Sequence, residues 1–483
     1  MGSELKHKVA AGVAWNISEK IGSMLLQMVV SIIVARLLMP EDFGVMAILT
    51  FFTSIALVVV DSGFSQTLIR KNQPTDEDFG SVFVFNLGVA AVLYILLTAA
   101  APFVASFYDM PVITEIAPVL FLLLPINALC VIQNTIFIRQ FRFGLLSRAT
   151  LASSLAGGIA AIVMALAGCG VWSLVGQRLA TAAAKSAILW LCNRRPPVGR
   201  FSRAAIREMS PFSFRLLGTD IIASLYNNIA PMFIGKFYPA DTLGYFHQAQ
   251  KFKDLPVTSA MQSVQSVTYP ALSKIGGNPE KFAESYRQVL MTVAFMMFPM
   301  MAGLSAVADD LFMLLLGEKW MPTVPYLQVL CLTGLFAPLA GISLNILKVS
   351  SDGRIIINLE IAKKIIMTVI LVVTVMHSVM AVAWGLVAVA AVDFAVNTAA
   401  STHYTSLTLR RIARTLLPIV FITAAMYAAV LFAGRLTAEL SVALRLAVKI
   451  LAGACVYIAL AFAFRLESAR EVRTIAKKMI KNG

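Results

Sequence analysis

Charge is scarce in this 483-residue chain. Only 13% of its residues are Asp, Glu, Lys or Arg, against 59% that are hydrophobic, whereas an ordinary soluble domain is about a quarter charged. Cysteine is scarce too. Cys130, Cys169, Cys192, Cys331 and Cys455 all lie in or beside apolar runs, and no CxxC pair occurs, so neither a disulfide framework nor a zinc site is indicated. The histidines, His7, His247, His377 and His403, lack the spacing of a metal site or a catalytic triad. There is no GxxxxGKS/T loop to cradle a nucleotide, so ATP hydrolysis by this chain is unsupported. No loop is long enough to hold a catalytic domain, and nothing marks the chain as an enzyme or calls for a cofactor. The period-two alternation of a membrane barrel is missing. No small-residue cleavage site follows a short apolar core, so the first apolar run is expected to be kept rather than removed as a signal peptide.

What remains is a succession of long apolar runs with a mean hydropathy of +0.81. A helix needs about 20 apolar residues to cross a bilayer. Segments of that kind lie near 14–37, 43–63, 80–105, 113–133, 147–167, 171–192, 213–235, 244–269, 287–308, 324–347, 355–376, 379–402, 416–434 and 443–464. The expected fold is therefore an all-α polytopic membrane protein of about 14 transmembrane helices. The net charge of +15 is explained by loop placement rather than by nucleic acid. With the N-terminus inside, the inner segments collect Arg70 and Lys71, Arg139, Arg142 and Arg148, the arginines from Arg194 to Arg215, Arg410, Arg411 and Arg414, and the C-terminal cations. The outer segments hold only Arg36, Lys236, Lys319, Arg435 and Arg445. Positive charge retained inside orients the chain with both termini cytoplasmic.

One motif occurs twice. "IVARLLMPEDFG" runs from Ile33 to Gly44, and "FIGKFYPADTLG" from Phe233 to Gly244. Each ends an apolar run with a lone cation, then a Pro and acidic residues, then a Gly. The two copies read as tight outer turns, with Arg36 and Lys236 as interface anchors whose heads reach the headgroup region. The longest basic segment, with "NRRPPVGRFSR", lies between them. This organisation predicts an N-terminal lobe over 1–192, a basic cytoplasmic linker over 193–212, a C-terminal lobe over 213–402, two further helices over 403–464 and a basic amphipathic tail over 465–483. Two pseudo-symmetric six-helix lobes would enclose a central cavity. The tail would lie on the anionic inner leaflet.

Polar residues within the spans fall on helical stripes. Asn16, Lys20, Ser23, Gln27 and Ser31 share one face; so do Thr50, Ser54, Asp61 and Ser65; so do Asp220, Ser224 and Asn227. The longest stripe is Lys251, Asp254, Thr258, Gln262, Gln265 and Tyr269. Steps of 3 and 4 place such residues on one side of a helix. Polar groups at this depth face protein or a water-filled cavity, and a polar interface between helices is the plain alternative. Arg178 and Lys185, Glu360 with Lys363 and Lys364, and Asp393 are further intramembrane charges, each as readily a structural pair as a ligand site. Asp393 is also a candidate proton or cation site.

The sequence resembles the oligosaccharide flippases of the polysaccharide transporter family, in the multidrug/oligosaccharidyl-lipid/polysaccharide superfamily, and in particular its fourteen-span Wzx-like branch. The resemblance rests on "ARLLMPEDFGVMA", "DSGFSQTLIR", "GCGVWSLV", "FIGKFYPADTLGYFHQAQKFKDLP", "YPALSKI" and "LLGEKWMPTVPYLQVL", in that order. It implies a sugar chain on a polyprenyl pyrophosphate as cargo, moved from the cytoplasmic to the periplasmic leaflet of the bacterial inner membrane by alternating access. It also implies lipids, a polysaccharide polymerase and chain-length machinery as partners. Carried over by position, Lys251 is the leading cavity cation, with Lys20 second and Lys253 facing elsewhere. Gln262, Gln265, Asn227, Gln27 and Asp254 are the candidate sugar and headgroup partners, and Asp61, Asp220, Asp254 and Asp393 the candidates for ion coupling. Family members often carry an Asp where this chain has Ala230, which leaves coupling open. An ion-coupled drug antiporter would want an acidic, aromatic cavity, and Lys20 and Lys251 oppose that; a non-transporting scaffold would have no use for the polar faces.

Overall fold

Pro40 opens a helix because its missing N–H is not needed in the first turn, and the Asp42 carboxylate accepts the Met39 N–H at 3.0 Å. The structure, a computed structural model, describes residues 22–193, 201–275, 279–350, 354–405 and 407–464. The side chains at 259–260, 262–282 and 354 lie outside the description. The chain forms two compact units, Met1–Gly244 and Tyr245–Gly483.

The first unit holds α1 (Gly22–Leu37), α2 (Pro40–Asp61), α3 (Phe64–Arg70), α4 (Asp76–Phe107), α5 (Val112–Leu120), α6 (Leu123–Arg139), α7 (Phe143–Leu166), α8 (Trp172–Cys192), α9 (Arg203–Asn227), α10 (Ile229–Phe237) and the first turn of α11 (Ala240–Ile275). Helix α4 starts on a capping box. The Thr75 hydroxyl accepts from the Asp78 N–H at 3.2 Å, and the Asp78 carboxylate accepts from the Thr75 N–H at 2.9 Å. Small residues let α1, α7 and α8 approach closely. A methyl group on Gly158 would lie 2.6 Å from Val30, and one on Gly157 2.7 Å from the Gln177 carbonyl.

Between α2 and α3 the chain turns through two left-handed residues, Ser62 at φ 51° and Gly63 at φ 69°. The expected span over 43–63 thus continues through a break to Arg70. Glycine is required at position 63, where a Cβ would sit 2.6 Å from the Ser213 carbonyl oxygen of α9. A second break, at Asn228, separates α9 from α10. The segment expected as a linker is helical from Arg203 onward, because the Ser202 hydroxyl caps α9 and Pro211 is accommodated within the helix.

The two copies of the repeated motif pack directly on each other. A Cβ on Gly44 would lie 2.7 Å from the Ala240 carbonyl carbon and nearer still to its oxygen; one on Gly244 would meet the Pro40 carbonyl in the same way. Gly235 of α10 rests on Ile48 of α2, which is wholly buried. Lys236 donates to the Phe107 carbonyl at 2.6 Å and its ammonium lies 4.5 Å from the Phe107 ring centre.

The second unit holds the rest of α11, then α12 (Pro279–Ala306), α13 (Ala308–Leu315), a short 3-10 turn (Glu318–Trp320), α14 (Thr323–Leu330), α15 (Thr333–Ser350), α16 (Arg354–Val375), α17 (Val379–Thr402), α18 (Leu409–Leu436) and α19 (Val442–Ala463). Trp320 and Tyr286 are fully buried in it. The Tyr286 hydroxyl sits 2.8 Å from Ser343 and 3.2 Å from Ser401, tying α12, α15 and α17 together. Helices α18 and α19 pack on α12 and α13. Arg445, read from the sequence as an outer-segment cation, lies within α19 and ion-pairs with the buried Asp310 of α13, with Lys449 2.5 Å from its other oxygen.

No strand occurs among the described residues. Nine of their helical stretches are long and apolar enough to cross a membrane, in the places expected for spans 2 to 5, 9, 10 and 12 to 14. The other expected spans coincide with α1, α8, α9–α10, α11 and α16, each of which carries polar or charged residues.

Candidate functional site

The polar faces of α2 and α9, separated by more than 150 residues of sequence, meet in the first unit. Ser224 of α9 donates to Ser54 at 3.4 Å, and Asn228 donates to the same hydroxyl at 3.3 Å and to the Ser224 carbonyl at 2.9 Å. Further along both helices, Asp61 accepts a hydrogen bond from Ser65, and Asp220 is near enough for the like charges to interact. At the other end of the seam, Arg178 of α8 donates to the Thr50 hydroxyl at 2.7 Å. Thr50, Ser54 and Asp61 of α2, Arg178 of α8, and Asp220 and Ser224 of α9 are all partly exposed, although much of the rest of α2 is buried. The seam is therefore a polar surface reaching the exterior of the packed helices rather than a sealed core network.

Near the Arg70 end of the same unit, the cations are engaged structurally. Lys71 lies 3.1 Å from both Asp78 and Glu208. Arg139 donates to the carbonyls of Ile69 and Lys71 at 3.0 and 2.8 Å and closes the end of α3. Thr67 and Ser213 are joined at 2.7 Å.

In the second unit the described portion of the α11 stripe lies at the surface. Lys251 and Thr258 are exposed and Asp254 is partly so, while Phe252 and Val257 on the other side are buried. This arrangement suits a wetted face better than a polar seam between helices, since a charged stripe against lipid is costly. Asp254 is ion-paired with Lys253 at 2.6 Å, the neighbour that helical spacing sets apart from Lys251. Asp393 also has a cation: Lys363 lies 2.7 Å from it, pairs with Glu360 and donates to Asn397 at 3.0 Å. The Glu360 and Lys363 pairing expected along α16 is present, and Asp393 of α17 extends it. Gln27 and Asn227 are exposed. Lys20 and the C-terminal tail lie outside the described residues, as do the side chains of Gln262 and Gln265.

Membrane-spanning apolar helices interrupted by polar faces are the setting in which the comparisons with known proteins become informative. A family model described as "Polysaccharide biosynthesis protein" matches residues 33–325. The chain belongs to the polysaccharide biosynthesis protein family. Among curated members, it is 25% identical over 331 residues to the succinoglycan biosynthesis transport protein ExoT of Rhizobium meliloti (strain 1021), covering 68% of this chain and 67% of the relative. It is 24% identical over 461 residues to the teichuronic acid biosynthesis protein TuaB of Bacillus subtilis (strain 168), covering 93% and 94%. Identity to the lipopolysaccharide biosynthesis protein WzxC of Escherichia coli (strain K12) is 21% over 333 residues, or 68% of each chain. Among solved structures, the lipid II flippase MurJ in an inward closed conformation matches with a TM-score of 0.75 at 13% identity, over 94% of this chain and 98% of that one. An inward-facing multidrug resistance MATE family transporter of the MOP superfamily matches with a TM-score of 0.60 at 16% identity, over 81% and 95%. The fold is that of MurJ and the MATE transporters.

Within this polysaccharide biosynthesis protein, Ala230 is buried at the start of α10, so no carboxyl stands there. The acids of the first-unit seam are Asp61 and Asp220. Arg178 is the member of the seam that sequence reasoning left undecided; its spacing from Lys185 was visible, but its contact with Thr50 depends on how α8 lies against α2.

Proposed function

We propose that this protein is a flippase for oligosaccharide carried on a polyprenyl pyrophosphate, working by alternating access in the bacterial inner membrane with both termini in the cytoplasm. The observation that carries the reading is the polar seam of α2, α8 and α9, partly exposed inside an otherwise apolar helical protein of a polysaccharide biosynthesis family. Its hydroxyl and amide groups suit a sugar, and its guanidinium suits a phosphate. The exposed Lys251 face of α11 is a second polar surface of the same character. Energy comes from an ion gradient or from the cargo's own gradient, with Asp61 and Asp220 as the first-unit candidates for ion coupling. The sequence repeat at 33–44 and 233–244 supports two lobes, 1–192 and 213–402, followed by two further helices. The product is a substrate for a polymerase acting on the outer face.

Deleting the gene in its host tests this reading. Lipid-linked glycan should accumulate where an outside-added glycan-modifying reagent cannot reach it, and surface polysaccharide should fall. Normal surface polysaccharide in the deletion strain refutes it. The fold shared with a MATE transporter keeps drug efflux as a second reading. Resistance to cationic drugs on overexpression, abolished by Asp61→Asn, would favour that reading, and Arg178 in the seam argues against cationic cargo.

A further inference from the structure

Helix α18 has two different sides. Ile412, Leu416, Ile419 and Met426 are buried, and the helix packs on α12 and α19. Arg410, Arg414, Leu417 and Phe421 are exposed, at steps of 4, 3 and 4 that place them on one face. That face ends at Arg435, also exposed. From Leu417 to Phe432 every exposed residue of the helix is apolar. Arg414 and Arg435 lie about 32 Å apart along the axis at 1.5 Å per residue, close to the roughly 30 Å of a bilayer's hydrocarbon core. The face therefore spans the bilayer between two cations, and Arg410 stands one turn, about 6 Å, beyond the core.

Nothing in the chain rewards the two arginines that begin this face. Neither makes a hydrogen bond, ion pair or ring contact among the described residues. Arg411, on the adjoining side, is near enough to Glu284 of α12 to interact with it. Other cations of the second unit have acids: Arg287 has Glu284, Lys363 has Glu360 and Asp393, and Arg445 and Lys449 share Asp310. The first turn of α18 carries no acid. Like charges four residues apart repel, and the positive end of the helix dipole opposes both. Orientation by positive charge would not require them to share the apolar exposed side. Their placement costs free energy within the chain and is offset by an anion outside it.

We infer that Arg410 and Arg414 form a binding site for an anionic glycerophospholipid of the surrounding membrane. Its phosphate lies between the two guanidiniums, and its acyl chains run along Leu417 and Phe421. On the proposed orientation this is the cytoplasmic leaflet, whose anionic lipids attract cations beside a span. The other end of the face differs. Arg435 is a single cation, and Glu439, four residues on, is exposed as well, so the preference for anionic lipid belongs to the start of α18. An acidic protein could meet the arginines, but the apolar stripe continuous with them matches a lipid's chains. The site is independent of the cargo, so it stands or falls apart from the flippase reading.

The purified full chain in neutral detergent is titrated with fluorescently labelled phosphatidylglycerol, with labelled phosphatidylcholine as the zwitterionic control. Wild type should bind phosphatidylglycerol about thirtyfold more tightly at low salt, the value of two cations near a membrane surface. The preference should shrink at high salt. Arg410→Gln or Arg414→Gln alone should reduce it to about fivefold, and the double variant should abolish it. Arg435→Gln, at the other end of the face, should leave it unchanged. All three positions are exposed, so the substitutions leave the packing intact. Glycerol 3-phosphate, which has the phosphate without the chains, should compete only weakly. Equal affinity of wild type for the two lipids overturns the assignment, as does a wild-type preference in the double variant. So does an equal loss in Arg435→Gln, which would reduce the effect to net charge. Strong competition by glycerol 3-phosphate would make this a site for a soluble anion, displacement by polyglutamate a site for an acidic protein, and tighter binding of undecaprenyl diphosphate a site for the cargo; each overturns the phospholipid site.

Discussion

Replacing Gly44 by alanine places a methyl group 2.7 Å from the Ala240 carbonyl carbon and closer to its oxygen, where ordinary contact begins at 3.4 Å. The start of α2 and the start of α11 must then move apart by at least 0.7 Å (3.4 less 2.7). Neither obstacle is a flexible side-chain tip; both are backbone, and Ile48, Leu243 and Phe43 beside them are buried. Overpacking of this kind costs about 1–3 kcal/mol. Gly244→Ala meets Pro40 in the mirror-image way and should cost the same. Because both substitutions push the same two helix ends apart, the double variant should lose less than the sum of the singles. Gly88→Ala is the control: nothing lies within 4 Å of its Cβ, and a helical Gly-to-Ala change gains up to about 1 kcal/mol. Gly44 is helical too, so that gain is common to both variants, and thermal unfolding of the purified chain in detergent should separate Gly44→Ala from Gly88→Ala by the overpacking cost of about 1–3 kcal/mol, or several degrees of midpoint at roughly 2–4 °C per kcal/mol. Equal midpoints for the two variants, or strict additivity of Gly44→Ala and Gly244→Ala, would refute the close packing of the repeated motif.

Two further outcomes follow from the ion pairs. Asp310→Asn leaves Arg445 and Lys449 without a counter-charge on a site that is 1% exposed, at a cost of about 3–5 kcal/mol; adding Arg445→Met and Lys449→Met should restore much of it, and failure of that rescue in the same unfolding assay removes the ion pairs as the cause. At Lys71, partial burial alone lowers the pKa, but the Glu208 and Asp78 carboxylates outweigh it and raise the value above the ordinary 10.5. Stability from this contact is complete below about 10.5 and is lost as pH rises through the raised folded value, so Lys71→Met should flatten the alkaline fall in stability, and identical slopes in variant and wild type would refute the linkage.

The sequence carried much of the helical layout because each span is a local feature, set by a run of apolar residues and its ends. Val379–Thr402 is helical over the very residues expected, and Phe143–Leu166 and Trp172–Cys192 differ from expectation by a few positions at most. The breaks were harder to read, although each has a local signal: Ser62–Gly63 has a turn composition, and Pro231 stands in the first turn of α10, three residues after Asn228. The ion pairs were legible only when they were local. Glu360 and Lys363 lie three residues apart on one helix, whereas Asp393 joins them from α17, and Asp310 finds partners 135 residues away in α19. Helical periodicity gives the face on which a charge lies; which helix covers that face is a tertiary fact.

Hydropathy and function pull in opposite directions in this chain. The helices that are long enough to cross a membrane but not apolar enough include α8, α9, α11 and α16, and these carry Arg178 and Lys185, Asp220 and Ser224, the Lys251 stripe, and Lys363. Each intramembrane charge lowers the apolarity that marks a span, so several of the charged helices escape a hydropathy criterion, while α2 meets it with Thr50, Ser54 and Asp61 on one face. Counter-charge then sorts them. Lys363 sits among two carboxylates and an amide, and its burial is balanced by the protein itself, which is what a structural pair requires. Arg178 is oriented by a neutral hydroxyl and balanced by nothing in the described chain. In a medium of low dielectric the neutralised cations hold helices together, whereas Arg178 is the seam cation that the described residues leave without a counter-charge.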